Sequence, residues 1–253
     1  MSVKYSDLKN KKVFISGGGS GIGATIVEYF CEQNSDVYFI DINLKESKKI
    51  LAKIKKRKLK APKFIECDIT DINKLQKTIE EIIKKKGPIN CLINNAANDD
   101  RHTTDQVNEK YWENRMAINL KHYFFAAQSV VKGMKKIKSG SIINLSSVSW
   151  MLGEGDKVVY ETAKSAVIGL TRSFAQEFGK YNIRTNSVIP GSIATERQIK
   201  NWLTPKYKKL ILDSQALKRQ LKPEDVARLV LFLSSDQSSG CTKQSFTIDA
   251  GIS

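Results

Sequence analysis

Residues 12–41 read KVFISGGGSGIGATIVEYFCEQNSDVYFID. Lys12 to Ser16 is a short β-prone run; Gly17, Gly18, Gly19, Gly21 and Gly23 follow, and apolar residues then recur at helical spacing from Ile22 to Phe30. Strand, glycine turn and helix in that order are the context of a phosphate-binding loop. Glycines let the backbone approach a pyrophosphate, and a helix N-terminus offers free N–H groups and the positive end of its dipole. The spacing from Gly17 through Gly21 to Gly23 is GxxxGxG, which makes Gly17, Ser20, Gly21, Ile22 and Gly23 candidate cofactor contacts. Asp41 closes the next β-prone run, eighteen residues after Gly23. A carboxylate there can bond both ribose hydroxyls of an adenosine, and it repels a 2′-phosphate. The glycine loop holds no Arg or Lys to receive such a phosphate, so NAD is expected rather than NADP.

The same alternation continues along the chain. Strands are expected near 12–16, 36–41, 63–67, 89–94, 140–146, 183–189 and 245–249, and helices near 21–33, 43–58, 71–86, 105–136, 157–180 and 223–235. Strands alternating with helices and no intervening linker predict one α/β domain over residues 1–253, built on a seven-stranded parallel sheet. KFIECD ends at Asp68, whose carboxylate can accept from an adenine amino group. INCLINNAA ends in Asn94, Asn95, Ala96 and Ala97, small residues that leave room for a ribose. These candidates fall at strand C-terminal ends, where open α/β sheets bind ligands.

Tyr160 and Lys164 lie four apart in VVYETAKSAV, thirteen residues after Ser147. Side chains at i and i+4 share a helix face. A phenol ionises near pH 10 and is a poor base at neutral pH. An ammonium one turn away favours the phenolate and is expected to lower that pKa; a tyrosine so tuned can take a proton from an alcohol.

SGGGSGIG, CDIT, NNAA, Asn119 in MAINL, IINLSS, YETAK and PGSIAT occur in the order and spacing of the short-chain dehydrogenase/reductase family, and nearly the whole chain resembles it. The resemblance implies a single-domain, Rossmann-type doubly wound fold. It implies Tyr160 as general base, Lys164 as the residue that lowers its pKa and holds the nicotinamide ribose, and Ser147 as the hydroxyl that orients the substrate oxygen. Asn119 is implied to hold a relay water. Contacts to the cofactor are implied for Asp68, Ile69, Asn95, Ala96, Pro190 and Gly191, with Ile193 and Thr195 at the carboxamide. Two departures are visible: Ser16 stands for the usual Thr before the glycine loop, and Ala97 for the usual Gly after NNA.

NNAANDDRH, the WMLG after the serine strand, PGSIATERQ and the ending IDAG resemble bacterial NAD-dependent aldose 1-dehydrogenases of the D-xylose type. Those enzymes oxidise the C1 hydroxyl of a free sugar to a lactone. The resemblance points to Asn98, Asp99, Arg101 and His102 as donors and acceptors for ring hydroxyls, to Trp150 as a stacking surface, and to Arg197, Gln198 and Trp202 in a lid. It also implies a homotetramer. A dehydrogenase of another secondary alcohol, or a 3-oxoacyl reductase, is the alternative; the latter commonly takes NADPH, which Asp41 disfavours.

The chain has 253 residues and a formal charge of +16. The run KESKKILAKIKKRKLK (45–60) carries much of that excess and keeps apolar residues on a rough helical stripe. Such charge can bind nucleic acid, but no nucleic-acid motif accompanies it, so solvated helix faces are expected and a nucleic-acid partner is not. No apolar run approaches the ~20 residues of a membrane span, and MSVKYSDLKN lacks a signal-peptide core. Four cysteines, Cys31, Cys67, Cys91 and Cys241, show neither metal nor disulfide spacing. A cytoplasmic, metal-free enzyme is the expectation.

Overall fold

A computed structural model describes residues 3–253; Met1 and Ser2, the start of the segment read for a signal peptide, lie outside the described residues. The strands are β1 Lys12–Ser16, β2 Asp36–Asp41, β3 Lys63–Glu66, β4 Cys91–Asn94, β5 Gly140–Leu145, β6 Ile183–Pro190 and β7 Ser245–Ile248. They form one parallel sheet in the order β3-β2-β1-β4-β5-β6-β7. β1, β4, β5 and β6 are almost continuously buried, as strands covered on both faces must be; β1 and β4 are mostly apolar, whereas β6 buries Thr185, Asn186 and Ser187 with hydrogen-bond partners from the segment before β7 and β7 itself. The strand order reverses between β1 and β4, which opens a crevice at their C-terminal ends.

Helices α1 Gly21–Glu32, α2 Leu44–Lys56, α3 Ile72–Lys86, α4 Glu109–Met116 and α5 His122–Ile137 lie in the first half of the chain. The second half holds α6 Ser149–Leu152, α7 Val158–Phe178, α8 Glu196–Asn201, α9 Pro205–Ser214 and α10 Pro223–Ser234. Ile26, Val27 and Phe30 of α1, Ile50 and Ile54 of α2 and Val226 to Leu233 of α10 pack on one side of the sheet. Leu75 and Ile79 of α3, Val130 and Met134 of α5 and Phe174 and Phe178 of α7 pack on the other. Local chemistry sets the starts: Asn43, Asp71 and Asn108 each accept a backbone N–H three residues on, at 3.1, 2.9 and 2.9 Å, as N-cap side chains do.

Two helical expectations are corrected. The single helix expected over 105–136 is instead a 3₁₀ turn at Thr104–Gln106, then α4, a π turn at Ala117–Lys121, and α5. π turns inside helices frequently mark functional sites, and Asn119 is fully buried in this one. The stretch after β6, left without helices by the sequence pattern, forms α8 and α9. Thr195 and Thr204 cap them by accepting from Gln198 N and Tyr207 N, both at 3.2 Å, and Pro205 opens the second.

The basic run of α2 is partly neutralised within the fold. Lys53 and Arg57 reach back to Glu28 of α1 at 2.7 and 2.6 Å, and Arg57 also meets Glu32. Among the described residues no helix is long and apolar enough to cross a membrane. All four cysteines are unpaired. Burial pushes the thiols of Cys31 and Cys91 up to about 12, which leaves them protonated and unreactive.

Candidate active site

The glycine loop closes against the end of β4. Ser16 Oγ accepts from Asn95 N and Ala96 N at 3.0 and 3.1 Å, and Asn95 Nδ2 donates to the carbonyls of Ser16 and Gly17, both at 3.0 Å. The hydroxyl kept by the Thr-to-Ser departure therefore stitches the crevice. Gly17 sits at φ +68°, and a Cβ there would stand 2.8 Å from Ala96 Cα; a Cβ on Gly23 would collide with the Gly17 carbonyl. Only glycine fits either place. Ser20 is extended and its side chain makes no capping bond, so the first N–H groups of α1 face the crevice without a side-chain acceptor. An anion binds well at such a terminus. Asp41 Oδ2 accepts from Gly19 N and Oδ1 from Asn43 N, both at 2.8 Å, which anchors the carboxylate at the loop's rim. Asp68 is exposed, and one of its carboxylate oxygens, Oδ1, accepts from Thr70 N and Oγ1 at 2.8 Å. A cradle of glycine backbone, helix N-terminus and rim carboxylate fits a dinucleotide. Gly21 faces Thr195, with an added Cβ 3.2 Å from Thr195 Cγ2, and Ile193 is buried beside a bridge to Leu221. The segment Pro190–Thr195 thus forms the far wall.

Ser147 follows β5, and Tyr160 and Lys164 lie on α7. The Ser147 side chain lies beside the Tyr160 hydroxyl and favours its ionisation, and Ser147 Oγ meets Ser149 Oγ at 2.9 Å. Lys164 is almost fully buried. Its ammonium lies 5.7 Å from the Tyr160 ring centre and donates to Tyr123 Oη and the Leu145 carbonyl at 2.9 and 2.8 Å. The electrostatics differ from the sequence expectation. Burial, then the Asp99 carboxylate, raises the Tyr160 pKa, against the Ser147 side chain and the Arg197 charge that lower it. Burial pulls Lys164 down to about 7, with Asp99 opposing. A neighbouring ammonium lowers a phenol's pKa only where that ammonium is itself kept charged, and here the protein buries both partners.

Asn119 clamps the loop after β4. Its Oδ1 accepts from Asn98 N at 2.8 Å while its Nδ2 donates to the carbonyls of Asn98 and Arg115 at 3.1 and 3.0 Å. The side-chain amide is thereby used within the protein. His102, expected among the ring-hydroxyl partners, is buried. Its Nε2 accepts from Val159 N at 3.2 Å and its Nδ1 meets Tyr111 Oη at 3.0 Å; it pins the start of α7 next to Tyr160.

The remaining polar candidates join two segments over the site. Arg197 reaches Asp100 Oδ1 at 2.7 Å, Asp99 Oδ1 at 3.2 Å and Asn98 Oδ1 at 3.2 Å. Gln198 Nε2 donates to Asp99 Oδ2 at 2.7 Å. Arg101 pairs with Asp156 at 2.7 Å and its guanidinium stacks 4.5 Å from the Trp202 ring centre. Trp150 lies in α6 after Ser147. The indole N–H groups of Trp150 and Trp202 are enclosed without a protein acceptor.

Comparison with known proteins follows the same lines. A family profile described as enoyl-(acyl carrier protein) reductase matches residues 17–253. D-xylose 1-dehydrogenase of Caulobacter vibrioides is 43% identical over 250 residues, covering 99% of this chain and 98% of that protein. The chain belongs to the short-chain dehydrogenase/reductase family. A protein named probable galactose dehydrogenase of Rhizobium meliloti is 39% identical over 251 residues, again covering 99% of this chain and 98% of the relative. The crystal structure of 3-oxoacyl-[acyl-carrier protein] reductase from Brucella melitensis superposes with a TM-score of 0.91 at 27% identity, covering 98% of this chain and 93% of that one. As a member of this family of oxidoreductases, whose dehydrogenases use NAD or NADP, the chain presents a site at the family's expected place in the sheet.

Sequence reasoning missed three contributors. Tyr123, fully buried, holds the Lys164 ammonium; its signal was its place at i+4 from Asn119, on the same helix face. Asp100 and Asp156 are the partners of Arg197 and Arg101. The last two lie far in sequence from those arginines or in a loop without periodicity, and no local pattern marks them.

Proposed function

We propose that the chain oxidises the C1 hydroxyl of a free aldose, a pentose or hexose such as D-xylose, with NAD, giving an aldonolactone. The observation that carries this reading is the polar wall beside Tyr160: Asn98, Asp99, Arg197 and Gln198 hydrogen-bond to one another across the site mouth. A polyhydroxylated ring can exchange hydroxyls for those bonds, whereas an acyl chain on a carrier protein needs an apolar channel. The full-length likeness to a D-xylose and a galactose dehydrogenase supports the same substrate class.

In this reading residues 1–253 form one domain for cofactor and catalysis. Bound NAD supplies the hydride acceptor. Gly17, Ser20, Gly21, Ile22 and Gly23 hold the pyrophosphate, Asp41 the adenosine ribose, Asp68 and Ile69 the adenine, and Asn95, Ala96, Pro190, Gly191, Ile193 and Thr195 the nicotinamide half. Asp41 at the rim of a loop without basic residues favours NAD over NADP. Ser147 and Tyr160 contact the C1 oxygen, and Tyr160 as phenolate takes the hydroxyl proton. Lys164, where its acceptors keep it charged, stabilises that phenolate against the burial that opposes it and holds the ribose, and Asn119 supports a water that passes the proton onward. Asn98, Arg101, Trp150, Arg197, Gln198 and Trp202 line the sugar side, with Arg101 and Trp202 acting as a stacked pair that carries the lid. No metal takes part. The protein works as a cytoplasmic homotetramer; Trp112 and Phe124, both about two-fifths exposed on α4 and α5, are apolar surface for subunit contact.

The test is NADH formation by the purified protein against a panel of free aldoses, with NAD and NADP in parallel. Rapid NAD-linked turnover of one sugar is expected. NAD binding without turnover of any aldose would reject the sugar and return the search to other secondary alcohols or 3-oxoacyl substrates.

A further inference from the structure

The Leu145 carbonyl receives two side chains at once. β4–β5 pairing ends at Asn94 and Asn144, one residue short of Leu145, and the carbonyl accepts from Tyr123 Oη at 2.9 Å and from Lys164 Nζ at 2.8 Å. Because the Tyr123 hydroxyl spends its only proton on Leu145, its lone pairs face the ammonium, which donates to it at 2.9 Å. The three groups close a triangle at the end of β5, beneath Tyr160. Its corners are held rigidly. Tyr123 packs edge-on against His122 at 4.4 Å, and Ser146 Oγ donates to the Lys164 carbonyl at 2.7 Å. Buried Asn94 links the backbone of Tyr123 to Asn144 at 3.3 and 2.9 Å.

We propose that Tyr123 is a positioning residue for Lys164: its hydroxyl, oriented by the Leu145 carbonyl, accepts the lysine ammonium and holds it charged below Tyr160. The proposal rests on Tyr160 and Lys164 being the proton-transfer pair. A buried ammonium keeps its proton only if acceptors replace the water it has lost. Lys164 has two such acceptors, Tyr123 Oη and Leu145 O. Removing one favours neutral lysine, and a neutral lysine no longer stabilises the phenolate.

The other charged and titratable groups around the pair are few. Asp99, on the loop after β4, favours the ammonium and opposes the phenolate. Glu154 opposes the phenolate from the turn before α7, and Arg197 of α8 favours it. His122 is held down to about 3 by burial and by the Lys164 charge, so it stays neutral across the working range and contributes no titration there.

The experiment is Tyr123→Phe in the full chain, which keeps the ring against His122 and removes one hydroxyl. NMR of isotope-labelled lysine, with the Lys164 signal assigned by its loss in Lys164→Met, should show Lys164 ionising about one pH unit lower than in the parent. The acid limb of the kcat/KM profile should move up by about one unit, an approximately tenfold loss at neutral pH, with NAD binding unchanged. An unmoved Lys164 titration overturns the proposal, and so does a moved titration with an unmoved pH profile, which would make the contact merely structural. Should Tyr123→Phe melt too low for NMR at about 25 °C, the same two measurements are made on variant and parent at about 10 °C, near the usual stability maximum. A parent that oxidises no aldose would defeat the sugar reading alone, because the lysine titration still decides whether Tyr123 holds Lys164.

Discussion

Gln198 Nε2 donates to Asp99 Oδ2 at 2.7 Å, tying α8 to the loop after β4 across ninety-nine residues of chain. Arg197 doubles the tie through Asp99 and Asp100. Asp99 also opposes ionisation of Tyr160 and Arg197 favours it, so the arginine both ties the two segments and offsets the Asp99 charge at Tyr160.

Arg197→Ala should therefore raise the sugar KM about tenfold, equivalent to ~1.4 kcal/mol of lost binding. It should also move the acid limb of the pH profile upward, because Asp99 is then uncompensated. Arg197→Lys should restore the limb more than the KM, since a point charge does not reproduce the guanidinium fork. Steady-state kinetics across pH separate the two effects; an unchanged KM would place Arg197 outside the substrate path.

Tyr160→Phe removes the hydroxyl that lies beside Ser147. Turnover should fall by roughly 10²–10⁴-fold, the usual worth of a general base, while NAD affinity measured by calorimetry stays near the parent value. Substantial remaining turnover would take proton transfer away from Tyr160.

Asp41→Ala deletes the rim carboxylate that accepts from Gly19 N and Asn43 N. NAD should bind about tenfold more weakly, or ~1.4 kcal/mol, and its advantage over NADP should narrow. A preference that does not move would locate discrimination elsewhere in the crevice.

Lys164 carries a stability prediction with a defined sign. Its folded pKa, about 7, lies below the ordinary 10.5. The unfolded chain therefore binds the extra proton between those values, and stability rises with pH through that window. Lys164→Met should raise Tm most below about pH 7, and the gain should vanish as the pH approaches about 10.5. Thermal melts from acid to alkaline buffer test this; a Tm difference that is flat with pH would mean that Lys164 is not held against its charge. Turnover should be lost at every pH, since this lysine costs stability where it serves the reaction.

The fold was legible because its signals are local. Gly17 and Gly23 announce a turn that no side chain fits, and the short apolar runs of β1 and β4 announce strands covered on both faces. The order of motifs placed Ser147, Tyr160, Lys164 and Asn119 at one end of the sheet, where the structure brings them together. α8 and α9 were missed because each is short and their stripes are incomplete; Thr195 and Thr204, their caps, are weak signals without a periodic run behind them. The π turn was missed because it is a single turn of five residues, Ala117–Lys121, too short for its change of phase to stand out from the α-helical pattern on either side.

The sequence by itself determined the parallel sheet, the glycine cradle, the acidic rim at Asp41 and the Ser-Tyr-Lys set, since each depends on residue type at fixed spacing along one or two elements. Only the tertiary structure decided who partners whom across the crevice: Tyr123 with Lys164, Asn119 with Asn98, His102 with Val159, Arg197 with Asp99 and Asp100. It also decided the direction of the Tyr160 and Lys164 pKa values, which are set by burial and by charges from distant segments. Desolvation and charge pairing depend on distance in space, and spacing along the chain carries no measure of either.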